Sequence, residues 1–167
     1  MRTKIFVKQS EIAAPVEAVF AFHKQPDALA RLTPPWENVE IIEQPDSLQP
    51  GSITVLRLAL GPVGRLWVAE VVEYCENSLF ADIQRKGPFA YWYHRHRFTP
   101  TDQGKTIYRD EIEYALPFGL LGGAAAGRFV RARLDRTFEY RHRKVAEIMS
   151  RRPSSGEASC SCVEFER

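Results

Sequence analysis

Phe89-Ala90-Tyr91-Trp92-Tyr93-His94-Arg95-His96-Arg97-Phe98 alternates two kinds of side chain with a period of two. Such a period puts Trp92, His94, His96 and Phe98 on one face of a strand and Tyr91, Tyr93, Arg95 and Arg97 on the other. Asp102-Gln103-Gly104 follows, a turn-forming sequence that suits an antiparallel hairpin, and then a second strand-like run, Lys105 to Ala115. In that run Tyr108, Asp110, Ile112 and Tyr114 share a parity opposite to Ile107, Arg109, Glu111 and Glu113. The charged rows read as the solvent face, which leaves Asp110 as the odd residue on an otherwise aromatic and apolar inner face.

The same grammar extends toward the N-terminus. Val39 to Glu43, Ser52 to Leu60, Leu66 to Tyr74 and Leu79 to Lys86 read as strands. They are separated by Pro50-Gly51, Gly61-Pro62-Val63-Gly64, Glu76-Asn77-Ser78 and Gly87-Pro88, which suit hairpins and not helical crossovers. Thr3 to Ile12 is a further strand. Ala14-Pro15-Val16-Glu17 opens a helix carrying Val16, Val19, Phe20 and His23, because proline is tolerated in a first turn. A short second helix covers Asp27 to Leu32 and stops at Thr33-Pro34-Pro35, with Trp36 just after the break. Beyond Leu116-Pro117-Phe118-Gly119 the period changes: Val130, Leu134, Phe138, Val145 and Met149 lie on one face of a long helix. The pattern predicts an α+β fold, a curved antiparallel sheet of six to seven strands wrapped around a long C-terminal helix, with two short helices after the first strand. The domain is expected over residues 1–149, with 150–167 a polar and flexible tail.

Length and charge narrow the function classes. A chain of 167 residues fits one domain, and a net charge of +2 selects neither an acidic nor a basic partner. The basic C-terminal helix, from Arg128 to Lys144, carries Asp135, Glu139 and Glu147 at salt-bridge spacing and lacks a stacking motif, so no nucleic acid is expected. No segment has the length and apolarity of a signal peptide or a membrane span, which predicts a cytoplasmic protein without integral membrane association. Cys75, Cys160 and Cys162 read as reduced, unpaired thiols, too few for a zinc ligand set.

Two features point to a small-molecule site. Gly122-Gly123-Ala124-Ala125-Ala126-Gly127 gives the start of the long helix almost no side-chain volume, which means either a cavity or close packing on the sheet through small residues. Trp36, Trp67, Tyr74, Trp92, Tyr108 and Tyr114 are enough to line a pocket. For Trp67 ordinary core is the favoured reading, although its parity with Arg65 and Glu73 points outward. Hairpin register would bring His94 or His96 beside Asp110, and a carboxylate there fixes the imidazole tautomer and favours its charged form. Such a pair anchors a ligand's polar end, works as an acid and base, or is a satisfied structural pair. No Ser or Cys nucleophile motif accompanies it. Two histidines two apart with one aspartate are a conceivable ligand set, but nothing beyond the alternation selects a metal, and no metal or cofactor is expected.

The order of elements, together with Ile12-Ala13-Ala14-Pro15-Val16-Glu17-Ala18-Val19-Phe20, Leu32-Thr33-Pro34-Pro35-Trp36, Trp92-x-His94-x-His96-x-Phe98, Asp110 and Leu116-Pro117-Phe118-Gly119, resembles the helix-grip superfamily. That superfamily includes START domains, birch-pollen-allergen-like proteins and polyketide cyclases/dehydrases, and the chain looks closest to the bacterial SRPBCC or cyclase/dehydrase-like ligand-binding members. The resemblance extends from Met1 to about Met149 and leaves the tail outside. It implies a deep, mainly apolar cavity between sheet and helix, used by different members for lipids, sterols, hormones, polyketides or quinones. It does not decide between binding protein and enzyme. Two readings follow. In the first, a hydrophobic or aromatic molecule is held by Trp92, Phe98, Tyr108 and Tyr114, with His94, His96 and Asp110 at its polar end. In the second, His96 with Asp110 moves a proton on a polyketide-like substrate, as in an aromatase/cyclase or dehydratase. A third has the basic helix or a sheet edge recruiting a protein.

Overall fold

The computed structural model describes residues 2–60, 63–117 and 123–151. Its elements follow the order β1 (Lys4–Ile12), α1 (Val16–His23), α2 (Ala28–Leu32), β2 (Val39–Glu43), β3 (Ile53–Leu60), β4 (Val63–Cys75), β5 (Leu79–Lys86), β6 (Tyr91–Pro100), β7 (Thr106–Ala115) and α3 (Gly123–Ser150). The seven strands form one sheet in the order β1-β7-β6-β5-β4-β3-β2, with every neighbouring pair antiparallel. This is the α+β helix-grip architecture: a meander from β2 to β7, closed by β1 on the far side of β7. The tail with Cys160 and Cys162, the Gly61-Pro62 turn and Phe118 to Gly122 lie outside the described residues.

Local chemistry accounts for the elements before the sheet. Pro15 caps α1, accepting from the amides of Ala18 and Val19 at 3.0 and 3.2 Å, and the helix buries Val16, Val19, Phe20, Phe22 and His23. Thr33 turns extended ahead of Pro34 and ends α2, its hydroxyl donating to the Leu29 carbonyl at 2.8 Å. Glu37 is then tied to α3, accepting from Arg133 and Thr137, while Val39 already pairs with Leu58 of β3. The stretch from Pro34 to Asn38 therefore bridges the long helix and the far edge of the sheet.

Two apolar clusters fill the interior. One joins Ile12, Val19, Phe20, Phe22, Phe80, Phe98, Tyr108, Val145 and Met149; the other joins Phe6, Trp92, Ile112, Tyr114, Leu134 and Phe138. Both are carried by the same elements: along β6, Trp92 belongs to one and Phe98 to the other, and along α3 Phe138 is followed by Val145. The residues between them on each element are polar, so a belt of His94, His96, Asp110 and His142 separates two apolar masses.

Burial is uneven across the sheet. None of the described residues of β2 and β3 is buried, whereas β1, β6 and β7 bury one or more on their inner face. The helix α3 packs against β1, α1 and α2. Cross-strand partners share a face, and Val39↔Leu58, Ile41↔Leu56 and Leu56↔Trp67 lie on the face opposite to the Glu40–Arg57 ion pair. An apolar, inward-facing and half-exposed wall results: Val39, Ile41, Leu56, Leu58 and Trp67.

Trp67 is where strand parity misleads. Its ring lies 4.9 Å from that of Trp92 and 5.7 Å from that of Phe89, inside the sheet's curve. Glu73 nevertheless faces out toward Tyr93 and Arg95, because the β4–β5 register shifts between Val71 and Glu73 and one extra residue on β4 reverses the alternation. At the start of α3, Gly127 is buried, and a Cβ there would collide with the end of the Lys4 side chain on β1. The Lys4 side chain is a flexible one that can move aside, and Gly127 lines an open cleft with Lys4, Tyr114, Arg131 and Asp135, so this end of the Gly122 to Gly127 run is not closely packed on the sheet; the side chains before Ala126 lie outside the described residues.

Candidate functional site

The β6–β7 hairpin sets His96 opposite Asp110, Phe98 opposite Tyr108, His94 opposite Ile112 and Trp92 opposite Tyr114. The inner row inferred from parity is therefore the inner row found. Asp110 accepts a hydrogen bond from His94 Nε2 at 2.9 Å on Oδ1, and His96 Nδ1 lies 2.7 Å from the same oxygen. Both imidazoles, not one, meet the carboxylate.

Four further side chains complete the cluster. His142 on α3 donates from Nε2 to Asp110 Oδ2 at 2.8 Å, and its Nδ1 lies 2.9 Å from the Ser10 hydroxyl on β1. Asp82 on β5, paired with His94 in the ladder, places Oδ2 3.6 Å from His94 Nδ1 and 3.7 Å from His96 Nε2. His23 on α1 lies 6.3 Å from His96, ring to ring. The sequence reading did not assign His142, Asp82 or Ser10 to the site. His142 sits four residues after Phe138 and three before Val145, in the helix stripe already identified, and that spacing would have found it. Asp82 shares parity with buried Phe80 but also with Gln84 and Lys86, while Leu79, Ala81 and Ile83 form the apolar row of β5, so the pattern there reads it as a solvent-side charge.

Solvent reaches the cluster from one side. Asp110 is fully buried and His142 nearly so, while the side chains of Asp82 and His96 keep 20% and 12% of their exposure. In the ladder Asp82 is paired with Val71 of β4. Phe98, Tyr108 and Tyr114 are packed by protein, with Phe98 stacked on Tyr108 and Tyr108 on His142. Trp92 is buried too, yet its indole N–H has no partner among the described residues, an unusual condition for a tryptophan.

Burial by itself would raise the Asp110 pKa, but the charge of His96 and the hydrogen bonds from His142 and His94 outweigh it and hold the carboxyl well below its usual range. Burial likewise disfavours an imidazolium at His96; the Asp110 charge and contact, with Asp82 behind them, reverse the balance and raise its pKa. At His94 burial and the neighbouring His96 charge prevail over both carboxylates, and its pKa is lowered. The cluster thus holds a permanent carboxylate with one imidazole favoured as a cation and one favoured as neutral.

A seven-stranded antiparallel sheet curved around one long C-terminal helix, with two short helices after the first strand, is the build of the SRPBCC/START-like helix-grip proteins. The model of the family described as "Polyketide cyclase / dehydrase and lipid transport" matches residues 12–143, and the chain belongs to that family. No curated protein matches the chain. Among solved structures it is similar to a nucleoside-diphosphate sugar epimerase from Corynebacterium glutamicum, 28% identical over 87% of this chain with a TM-score of 0.67; this chain spans only 29% of that protein's length. It is also similar in fold to the Zhui aromatase/cyclase from Streptomyces sp. R1128, at 17% identity, TM-score 0.71 and coverage of 93% and 99% of the two chains. A START superfamily protein from Mycobacterium smegmatis shares the fold at 14% identity, TM-score 0.64 and coverage of 87% and 97%. No described helix is long and apolar enough to cross a membrane.

Proposed function

We propose that the protein binds a hydrophobic or aromatic small molecule, of the lipid, quinone or polyketide-like class, between the sheet and α3. The observation that carries this is the half-buried inward wall of Val39, Ile41, Leu56, Leu58 and Trp67, on the same face of the sheet as Asp82 and His96. Apolar side chains that face inward and still meet water gain from a ligand that covers them, at roughly 25 cal/mol per Å² of apolar surface removed from solvent. The polar end of the ligand meets His96 and Asp82, and the unpartnered Trp92 N–H offers a donor for an acceptor group. Native mass spectrometry of detergent-free protein, followed by solvent extraction, tests it directly. An apolar passenger at one per chain is the expected result. An empty protein that also gives no thermal shift with lipids, quinones or polyketide-like aromatics would overturn the reading.

A second reading is supported by the His96–Asp110 contact. His96 is favoured as a cation, is braced by a buried carboxylate and keeps an edge toward solvent, as a general acid must. In this reading the protein is an aromatase/cyclase or dehydratase, and the fold it shares with an aromatase/cyclase makes such substrates the first to try. His96→Gln separates the two. Lost turnover with retained apolar binding supports catalysis; weakened binding with no turnover in either protein supports an anchor.

A further inference from the structure

Asp110 decides where the protons of two imidazoles lie. Its Oδ1 takes the hydrogen bond from His94 Nε2 and lies 2.7 Å from His96 Nδ1, an approach that two lone pairs would not tolerate. With protons on those nitrogens, neutral rings present lone pairs at His94 Nδ1 and His96 Nε2. Both of these nitrogens face Asp82 Oδ2, at 3.6 and 3.7 Å. Those separations are too long for hydrogen bonds. With both rings neutral, three electron-rich atoms face one another across a gap in which a positive charge belongs, the proton of His96 in the metal-free chain or an ion in its place.

The gap has the dimensions of a metal site. The ligand atoms of Asp82, His94 and His96 all lie within 4.8 Å of one another. An ion about 2.1 Å from each of its ligands spaces them about 3.4 Å apart at tetrahedral angles, so the two separations to Asp82 need contract by only tenths of an ångström, and the one between the imidazoles, within 4.8 Å, by about 1.4 Å at most. Asp110 then stands behind both imidazoles as the carboxylate that orients metal-bound histidines, and His142 fixes Asp110 in turn. Charge agrees with geometry, since a dication balances the two carboxylates, Asp82 and Asp110.

We propose that Asp82, His94 and His96 form a site for a divalent first-row transition ion, held by two imidazoles and one carboxylate and open toward the apolar concavity. Imidazole with carboxylate suits zinc, cobalt or iron(II) over magnesium or calcium. Three protein ligands leave a coordination position for water or for a ligand oxygen, and Asp82 and His96 keep the exposure that admits it. His94-x-His96 with Asp110 selected no metal in the sequence; the structure moves the carboxylate ligand to Asp82 and gives Asp110 the supporting position. The site stands whether or not an organic molecule occupies the wall.

The test uses the full, tag-free chain, stripped with chelator and titrated with Co²⁺ alone. The expected result is one Co²⁺ per chain, visible ligand-field absorption and reversal by chelator. Asp82→Asn and His96→Gln are expected to lose this uptake, and Asp110→Asn to weaken it by about 10- to 100-fold. The Cys160→Ser/Cys162→Ser variant, which removes the thiols of the tail, is expected to bind as the parent does. Imidazole ¹⁵N spectra of the unmutated protein give a readout independent of variant folding: Zn²⁺ is expected to shift His94 Nδ1 and His96 Nε2. No cobalt uptake at millimolar concentration, uptake undiminished in a folded Asp82→Asn variant, or ¹⁵N shifts confined to other histidines would overturn the proposal.

Discussion

Replacing Asp110 by asparagine keeps the size of the side chain and removes the charge on which three imidazoles converge. The fully buried carboxylate accepts from His94 and His142 at 2.9 and 2.8 Å and lies 2.7 Å from His96. Asparagine keeps one acceptor oxygen for His94 and His96 and turns an amide donor toward His142. His142 recovers part of the loss by shifting its proton to Nδ1 and donating to Ser10, 2.9 Å away. A charge-assisted hydrogen bond contributes about 1.5–3 kcal/mol and breaking a buried ion pair costs about 3–5 kcal/mol, so with that recovery a loss of about 3 kcal/mol is expected. At roughly 2–4 °C per kcal/mol for a chain of this size, the melting temperature falls by about 10 °C. The loss depends on pH in a fixed sense. His96 has a raised folded pKa, so its contribution is complete below the unfolded value near 6.5 and is lost as pH rises through the folded value. Asp110 has a depressed one, so its contribution is complete above the unfolded value near 3.8 and is lost as pH falls through the folded value. The deficit of Asp110→Asn is therefore largest between about pH 4 and 6.5 and smaller near pH 9. Urea denaturation in chelator, followed by circular dichroism near pH 6 and pH 9, measures both. Equal deficits at the two pH values, or a deficit under about 1 kcal/mol near pH 6, would refute the reasoning.

Three further outcomes follow from the same packing. His23, faced by His96, Asp110, His142 and Tyr108, is held to a pKa of about 4 by burial, with its Nδ1 bonded to the Val19 carbonyl. The unfolded chain takes up this proton from about pH 6.5 and the folded chain only near 4, so stability falls by roughly 3 kcal/mol across that window as pH drops; His23→Phe should flatten the fall in acid denaturation curves. Leu56→Arg puts a charge on the inward wall at a half-exposed position, and should abolish uptake of an apolar ligand while changing stability by under about 1 kcal/mol. Phe138→Ala empties the centre of the second cluster, where the ring lies 5.3 Å from both Phe6 and His94, and should cost about 3–5 kcal/mol in urea unfolding.

Strand order and inner face were legible because β6 and β7 run without a bulge from Trp92 to Phe98 and from Tyr108 to Tyr114, so a period of two holds across the whole hairpin. Trp67 was not legible, since the shift between Val71 and Glu73 leaves no mark in a run of Val, Ala and Glu. The site was half legible. Asp110 stood out as a charge among aromatics, but Asp82 shares its row with Gln84 and Lys86 while Leu79, Ala81 and Ile83 form the apolar row of β5, so it reads as a solvent-side charge and its role appears only once β5 is laid beside β6. His142 carried the right spacing; a histidine among seven basic residues on α3 simply reads as one more solvated charge. Long-range partners of this kind depend on which helix crosses which strand, and local periodicity does not encode that.

The two oxygens of Asp110 divide the cluster into a closed half and an open half. On the Oδ2 side His142 is satisfied at both nitrogens, by Asp110 and by Ser10, within the protein. A pair of this kind, taken alone, is an ordinary solution to burying a carboxylate, and it needs no ligand. On the Oδ1 side the two imidazoles each spend one nitrogen on Asp110 and turn the other toward Asp82 and the concavity, beyond hydrogen-bonding distance. Folding alone does not require that second arrangement, since a single histidine would satisfy Oδ1. Substitutions on the two sides should therefore separate: Ser10→Ala and His142→Phe act on stability alone, Asp82→Asn acts on what the concavity holds, and His96→Gln acts on both, through its contact with Asp110.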